Sequence, residues 1–409
     1  MKILSSSSNH FNARNEMFVR EVAPMSIFST DKLNKPDLHE DGTQNKLKNN
    51  DVVVTAETLN SYNRDLNPVL KVLQFTGVFP FSKTRRGTWV YSPFSPLMFY
   101  AVCLYIAMLT ILWFTTGAKL RDLMKIHRHF NVLFFVFMAV SYFLIILAIP
   151  VINWPEANRI ANYLSGWTKF QEKYCKLTGR PLNLGMRKKV YILMLILPVL
   201  IFSFEVIYQL HNGDDVLVDW WVATKEWYLD VVRFYIITYW HLTCGALSSA
   251  ARNLWRNFER EYEESTKYMP DVIDTHRSLW VELSRLVRET GTSMTYTYGF
   301  YILYMFLSLT FFVYHTISNL ARQLRPDQIL MALECCVMEY TLFLLCNSAT
   351  NATREVGDVI RDKLLKVRWA SNDTMVQREL DRFLKSMDAF PPIVSLGDYT
   401  IINRGLFIS

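Results

Sequence analysis

The sequence lacks the signatures of an enzyme and of a disulfide-stabilised secreted domain. It contains no Gly-rich phosphate loop, no His-Glu-x-x-His motif and no nucleophile elbow in which glycines flank a serine. Its six cysteines show no metal-ligand spacing, and most of them lie inside apolar runs. We therefore predict that the chain is not an enzyme, has no catalytic residues and binds neither a metal nor another cofactor.

The amino terminus also lacks a signal peptide, because the opening residues MKILSSSSNH contain no apolar stretch of about 7 to 15 residues. A later membrane span must then act as the targeting signal. Residues 1–68 are rich in Ser, Asn, Asp and Lys and have only short apolar islands, so they cannot bury a core of their own. They are predicted to form a disordered tail.

Charged residues are scarce, since they make up 20% of the chain against 51% hydrophobic residues. Residues 290–321 contain no Asp, Glu, Lys or Arg, and a helix needs only ~20 apolar residues to cross a bilayer. We predict an all-α protein, with a polytopic membrane helical bundle in residues 69–350. Its six predicted spans lie at about 97–116, 131–152, 190–210, 228–249, 294–320 and 329–349.

The connectors 153–189 and 251–293 are long and amphipathic. In the first connector, apolar residues recur at helical spacing up to a stop at Gly179 and Pro181. In the second, the apolar face of a helix leads directly into the fifth span. Residues 351–409 add two more amphipathic helices and a lead-in to a further span. These segments are predicted to form a helical anchor domain outside the bilayer.

Lys and Arg are unevenly distributed among the connectors. The two long connectors carry fifteen of them, whereas the three alternate connectors carry seven. Because positive residues are retained on the cytosolic side, we predict that the amino terminus, the long connectors and the tail are cytosolic. A G-protein-coupled receptor would have the opposite orientation. The net charge of +7 is spread between apolar runs, so we predict membrane lipid and no nucleic acid as a partner.

Several longer stretches have a recognisable order of residues. They are LKVLQFTGVFP before the first span, WPEANRIANYLSGWTKFQEKY in the first long connector, HRSLWVELSRLVRETG before the fifth span, and ELDRFLKSMDAFPP and INRGLF near the end. These stretches resemble the insect gustatory receptor family and, within it, the carbon dioxide receptor subfamily. The resemblance extends from roughly residue 70 to the last residue.

The resemblance implies a fold and a function. Family members are similar in having seven spans and a cytosolic amino terminus, and they assemble as tetrameric, ligand-gated, non-selective cation channels. A sensory chemoreceptor subunit in the plasma membrane of sensory neurons is therefore expected. It would detect a small volatile ligand, namely carbon dioxide, with odorants as further ligands. It would do so in a tetramer, either a heterotetramer with sister gustatory receptor subunits or a homotetramer.

The seventh span of this family lines the pore, and the resemblance implies that it is missing here. The family ends in an apolar helix that carries a Thr-Tyr pair and, five residues later, a Gln-Phe pair, whereas this sequence stops at Ser409 before such a helix. We expect an incomplete gene model or a splice variant to explain the difference.

A polytopic transporter is the alternative interpretation. Transporters usually contain internal repeats, with helices broken by Gly or Pro at corresponding places in the two halves. No such repeat is visible in this sequence, and its long helical connectors differ from the short loops of transporters. The receptor channel is therefore the favoured function.

Ionisable residues inside the predicted spans are costly to bury, and they indicate either a functional site or a paired contact. In the predicted orientation, four of them fall in the outer halves of their spans, where the resemblance places the ligand pocket. They are Glu205, Arg233, His315 and Glu334. Arg233 is predicted either to form a packing ion pair with Glu205 or Glu334, or to sense carbon dioxide or bicarbonate together with His315.

Aromatic residues are dense in the fifth span and include Phe311 and Tyr314. Aromatic walls suit a small apolar ligand, so these two residues complete the predicted ligand-binding set. Contact with lipid explains most of the aromatic residues equally well. His241, in the fourth span, is predicted to be hydrogen-bonded within the bundle.

Overall fold

The computed structural model describes residues 60–84, 88–125, 130–212, 220–264, 269–320, 326–397 and 399–408. Within these residues the chain forms eleven helices and two short antiparallel hairpins. The helices are α1 (Ser61–Phe75), α2 (Pro96–Lys125), α3 (Phe130–Thr178), α4 (Arg187–Asn212), α5 (Trp220–Glu264), α6 (Met269–Thr292), α7 (Thr295–Leu320), α8 (Pro326–Val356), α9 (Asp358–Ala370), α10 (Thr374–Ala389) and α11 (Arg404–Ile408). The hairpins pair β1 (Phe81–Lys83) with β2 (Trp89–Tyr91), and β3 (Ser395–Leu396) with β4 (Thr400–Ile401). The predicted all-α class is confirmed.

The predicted spans fall in six long helices, α2, α3, α4, α5, α7 and α8. Within the described part of the chain, two stretches are long and apolar enough to cross a bilayer by length and composition. They are Pro96–Phe114, with a mean hydropathy of 2.2, and Thr295–Tyr314, with a mean hydropathy of 1.4. The number of spans and their boundaries remain predictions.

Helix α3 is longer than either of the segments predicted for its region. It runs for 49 residues without a break, so the second span and the first long connector form one helix. Pro150 and Pro155 lie inside it, although proline lacks the backbone N–H of a helical hydrogen bond. The helix ends where the sequence predicts, because Gly179 has a φ of 66°, a conformation that terminates helices.

Helix α1 begins earlier than the sequence analysis expects. The predicted tail ends at residue 68, but the helix starts at Ser61 and buries Tyr62 and Leu66 on one face. The polar composition of this segment is misleading, because Ser61, Asn63 and Asp65 are buried and each makes a side-chain contact. Ser61 Oγ donates to the carbonyl of Leu182 (2.8 Å). Residues 1–59 lie outside the described residues.

Buried tryptophans hold the cores of the long helices together. Trp167 of α3, Trp240 of α5 and Trp280 of α6 are fully buried. The Trp240 indole donates to the carbonyl of Leu345 (3.1 Å), and the Trp280 indole donates to the carbonyl of Val356 (2.8 Å). Both acceptors are backbone atoms of α8, so α8 is fixed against α5 and α6 by directional bonds as well as by apolar contact.

The carboxyl-terminal end of α6 lies directly against strand β3. A Cβ atom placed on Gly291 would lie 2.0 Å from the carbonyl oxygen of Ser395. Only glycine permits this approach of the two backbones. Gly291 therefore allows the β3–β4 hairpin to pack at the junction between α6 and α7.

His276 of α6 is buried at the contact with α5. Its Nδ1 lies 2.9 Å from the carbonyl oxygen of Val272, and its Nε2 lies 3.8 Å from a carboxylate oxygen of Glu261. Its ring meets the Phe258 ring edge to face, with centroids 5.3 Å apart. Burial lowers the pKa of His276 below its ordinary value, although the Val272 hydrogen bond and Glu261 act in the opposite direction.

The contact at Gly291 predicts a large effect of a small substitution. Replacing Gly291 with Ala forces the hairpin to move by more than about 1 Å, and such overpacking costs about 1–3 kcal/mol. We expect the melting temperature of the purified protein to fall. Gly245→Ala in α5 is the matched control, because nothing lies within 4 Å of its added Cβ. Equal melting temperatures for Gly291→Ala and Gly245→Ala would contradict this account.

The lowered pKa of His276 predicts a pH-dependent stability. The folded chain holds the proton less readily than the unfolded chain, whose histidines titrate near about 6.5. Stability is therefore complete above that pH and decreases as the pH falls toward the folded pKa. We expect His276→Gln to flatten the dependence of melting temperature on pH between about 7.5 and 5.5. An unchanged slope in this variant would rule out His276 as the source.

Candidate functional site

Arg233 of α5 forms an ion pair with Asp230, a carboxylate of the same helix. Its guanidinium is 2.7 Å from Asp230 Oδ1, and the two side chains are only 15% and 23% exposed. The guanidinium also lies over the Phe234 ring, 5.0 Å from the centroid. The sequence analysis named Glu205 and Glu334 as partners and did not select Asp230. The i, i+3 spacing of Asp230 and Arg233 was the available signal.

Two tyrosines of α7 connect this part of α5 to the neighbouring helix. The hydroxyl of Tyr298 donates to the carbonyl of Ile236 (2.9 Å), and the hydroxyl of Tyr301 donates to the carbonyl of Arg233 (3.4 Å). Tyr304, one turn further, lies 6.4 Å from Tyr301 between ring centroids. Tyr298 and Tyr301 therefore tie the backbone of α5 around Arg233 to α7, and the sequence analysis noted these tyrosines only as part of a dense aromatic run.

The predicted aromatic residues lie further along α7. Phe311 is half-buried, and Tyr314 is 55% exposed. At a rise of about 1.5 Å per residue, Tyr314 and His315 lie about 20 Å along the helix from Tyr301. The structure therefore does not bring Tyr314 to the part of α7 that contacts Arg233.

The other predicted residues are only partly described. Glu205 lies in α4, His315 in α7 and Glu334 in α8, but their side chains are outside the described part of the structure. Their contacts with Arg233 remain predictions. His241 is described, and its Nδ1 lies 2.8 Å from Ser348 Oγ of α8, in the bundle contact predicted for it.

A buried carboxylate joins α3 to the start of α7. Glu156 Oε1 accepts from the backbone nitrogen of Tyr296 (2.8 Å), and Oε2 accepts from that of Thr297 (3.0 Å). Thr297 Oγ1 also lies 2.6 Å from Glu156 Oε2 and 2.5 Å from Asn153 Oδ1. Glu156 is 1% exposed and Asn153 is fully buried. We refer to Asn153, Glu156, Tyr296 and Thr297 as the α3–α7 joint.

The α3–α7 joint satisfies groups that the helix itself cannot satisfy. The first N–H groups of a helix have no acceptor within that helix, and they lie at the positive end of its dipole. The Glu156 carboxylate supplies both the acceptors and a negative charge at this position. Sequence reasoning missed the joint, since Glu156 lies in the quoted WPEANR stretch but nothing in the local pattern shows what it contacts.

Neither region contains a cluster of metal ligands among its described residues. Within the described residues, no group of three or more His, Cys, Asp or Glu side chains is close enough to hold a metal ion. The site offers a charged pair, Asp230 and Arg233, at the contact with Tyr301 of α7. Tyr301 lies one helical turn along α7 from Thr297 of the α3–α7 joint. Such an arrangement can bind a small polar molecule and transmit a displacement between α5 and α3.

Comparison with known proteins gives consistent matches. The family model of the 7tm chemosensory receptor matches residues 66–409. Gustatory and odorant receptor 24 of Anopheles gambiae is 28% identical over 342 residues, which cover 84% of this chain and 74% of that receptor. Gustatory and odorant receptor 21a of Drosophila melanogaster is 23% identical over 367 residues, which cover 85% and 77%. Among solved structures, the insect olfactory receptor OR5 from Machilis hrabei in complex with eugenol has a TM-score of 0.48 at 12% identity, covering 86% of this chain and 95% of that chain.

The α3–α7 joint predicts a specific effect of removing one charge. Glu156→Gln replaces one acceptor oxygen by an NH₂ group that faces N–H donors, so we expect a loss of about 1–3 kcal/mol of folding free energy. The melting temperature of the purified protein should fall. Glu172→Gln is the control, because Glu172 lies on the same helix and is only partly buried. If the two variants melt alike, the carboxylate does not hold the start of α7.

Proposed function

Because this chain belongs to the 7tm chemosensory receptor family, we propose that it is a subunit of a ligand-gated, non-selective cation channel. The family assignment confirms the resemblance to insect gustatory receptors and the prediction that the chain is not an enzyme. Channel activity is what the resemblance implies for members of this family. The chain is then one subunit of a tetramer in the plasma membrane of sensory neurons, assembled with sister subunits or with copies of itself.

The surface of α4 supports a membrane location. Tyr191, Leu195, Val199 and Phe202 follow one another at intervals of three or four residues and are all exposed. They form a continuous apolar face along the helix. In water such a face would promote aggregation, whereas in a bilayer it contacts lipid or a sister subunit.

The proposed orientation places the carboxyl-terminal half of α3, the carboxyl-terminal part of α5, and helices α6, α9 and α10 in the cytosol. The excess of Lys and Arg in these segments supports this side of the membrane. Their packing also suits an aqueous surrounding, since charged side chains are exposed around a shared aromatic core. Lys173 and Glu282, for example, form an ion pair in which each side chain is 40% exposed.

The proposed ligand is carbon dioxide, or bicarbonate formed from it. The stretches that resemble the carbon dioxide subfamily support this choice, and two relatives named as gustatory and odorant receptors support a chemical stimulus in general. An arginine is the side chain expected to bind an anion such as bicarbonate. Arg233, whose backbone carbonyl contacts Tyr301, is therefore the proposed ligand-binding group.

The observation that carries this proposal is the largely buried ion pair of Arg233 and Asp230 within the predicted fourth span. A charged pair within a membrane span is costly to bury and indicates a functional role by default. Here the pair lies beside the carbonyl contact between Arg233 and Tyr301. A ligand that competes for the guanidinium would displace Asp230 at the point where α5 contacts α7.

The proposal predicts that Arg233→Ala abolishes the response to carbon dioxide. The measurement is the evoked current in cells that express the variant with sister subunits, together with surface labelling of the receptor. Arg233→Ala also leaves Asp230 without this guanidinium, so a loss of current alone does not separate sensing from assembly.

The neutral double variant Asp230→Asn with Arg233→Gln separates the two roles. It removes both charges of the pair and therefore leaves no uncompensated carboxylate at position 230. If Arg233 binds the ligand, this variant reaches the surface and does not respond. Normal currents from the double variant would overturn the role of Arg233 and leave the ion pair as a packing contact.

A further inference from the structure

A cleft lies between one face of α3 and one face of α6, away from Arg233. Its volume is about 670 Å³, within the range of small-molecule sites, ~300–1,000 Å³. The α3 wall carries Arg159, Lys169 and Lys173, and the α6 wall carries Arg285 and Glu289. Residues on each wall recur every three or four positions, so each wall is one face of a helix.

The cleft has a surplus of positive charge. Its two acidic side chains are already paired, because Glu282 lies 3.4 Å from Lys173 and Glu289 lies 2.7 Å from Arg285. Among the described residues, no acidic side chain forms an ion pair with Arg159 or Lys169, and both are exposed. These two cations are available to an anion from solution.

The shape of the cleft limits which anion fits. Arg159 and Lys169 are ten residues apart on one helix, about 15 Å along its axis. A single phosphate is too small to contact both side chains, whereas a ring that carries two or more phosphates can reach both. The base of the cleft is apolar, since Tyr163, Phe170 and Leu286 are buried there, and it offers a surface for the ring.

We propose that this cleft binds a multiply phosphorylated ring, such as a phosphorylated inositol. Arginine and lysine are the side chains that bind phosphate, and arginine can do so with two parallel hydrogen bonds. The bound ring spans α3 and α6 and stabilises their contact. Its source is either a phosphoinositide headgroup in the bilayer or a soluble inositol phosphate.

Both sources are compatible with the position of the cleft. Arg159 lies seven residues beyond the predicted end of the second span at residue 152, about 10 Å along the helix. A lipid headgroup reaches that level, and the proposed cytosolic orientation exposes the cleft to the leaflet that contains phosphoinositides. Lys169 lies further along α3 from the predicted span than Arg159 does, at a level where a soluble ligand has equal access.

Direct binding to the purified full chain tests the proposal without requiring channel activity. One arm measures binding of fluorescent inositol trisphosphate to the receptor in detergent. The other measures energy transfer from labelled phosphatidylinositol bisphosphate to the receptor in nanodiscs, with phosphatidylcholine nanodiscs as the blank. Binding in the first arm alone identifies a soluble ligand, binding in the second arm alone identifies a lipid headgroup, and binding in both shows that the phosphorylated ring is recognised from either source.

Two variants disrupt ligand binding in the cleft by different means. The combination of Arg159→Gln with Lys169→Gln removes the available charge and should weaken binding about tenfold or more, since two charge-assisted hydrogen-bonding groups are lost. Gly166→Leu keeps every charge and fills the cleft. At Gly166 an added Cβ meets only Leu286 Cδ2 at 3.5 Å and Glu289 Oε2 at 3.7 Å, both ordinary van der Waals distances, so the backbone has room for a Cβ at this position.

Lys176→Gln is the matched control, because Lys176 is an exposed lysine of the same helix that does not line the cleft. We expect this control to bind as the unchanged chain does, and each cleft variant to lose binding while keeping its melting temperature. The proposal is wrong if neither arm exceeds its blank, if both cleft variants bind normally, or if Lys176→Gln loses binding to the same extent.

Discussion

The contact on which the rest of the bundle depends is the pair of hydrogen bonds from the start of α7 to the Glu156 carboxylate. A helix that begins inside packed protein must find acceptors for its first N–H groups, because no water is present to supply them. Glu156 meets this requirement from α3, which continues for more than twenty residues beyond it. One buried charge thereby fixes the angle and level at which a long apolar helix meets a long stem.

Hydrogen bonds from side chains to backbone carbonyls fix the other helices in the same way. Ser284 of α6 donates to the carbonyl of Phe390 (2.6 Å), and Trp280, one turn earlier, donates to the end of α8. Apolar burial is not directional, whereas a buried donor loses its partner when the helices shift. The arrangement of α5, α6 and α8 is therefore specific as well as stable.

Sequence patterns along one helix predicted most of the secondary structure, and contacts between helices account for what they missed. Charge-free runs and the stop at Gly179 are local signals, so the long helices and the end of α3 were predictable. The start of α1 was not, because Ser61 and its polar neighbours are satisfied by distant residues. Asp230 as a partner of Arg233 was a local signal that was overlooked. The partners of Glu156 lie 140 residues away in sequence, and no single-chain pattern connects them.

The proposed ligand site and the α3–α7 joint are close enough to be coupled through one element. Tyr301, which contacts the carbonyl of Arg233, is four residues from Thr297, or about 6 Å along α7. The first two turns of α7 are thus held by α5 on one side and by α3 on the other. Packed interfaces move between discrete arrangements and do not deform continuously. A ligand that shifts α5 at Arg233 must therefore either leave these turns in place or move them as a unit, and in the second case the Glu156 contact transmits the displacement to the stem.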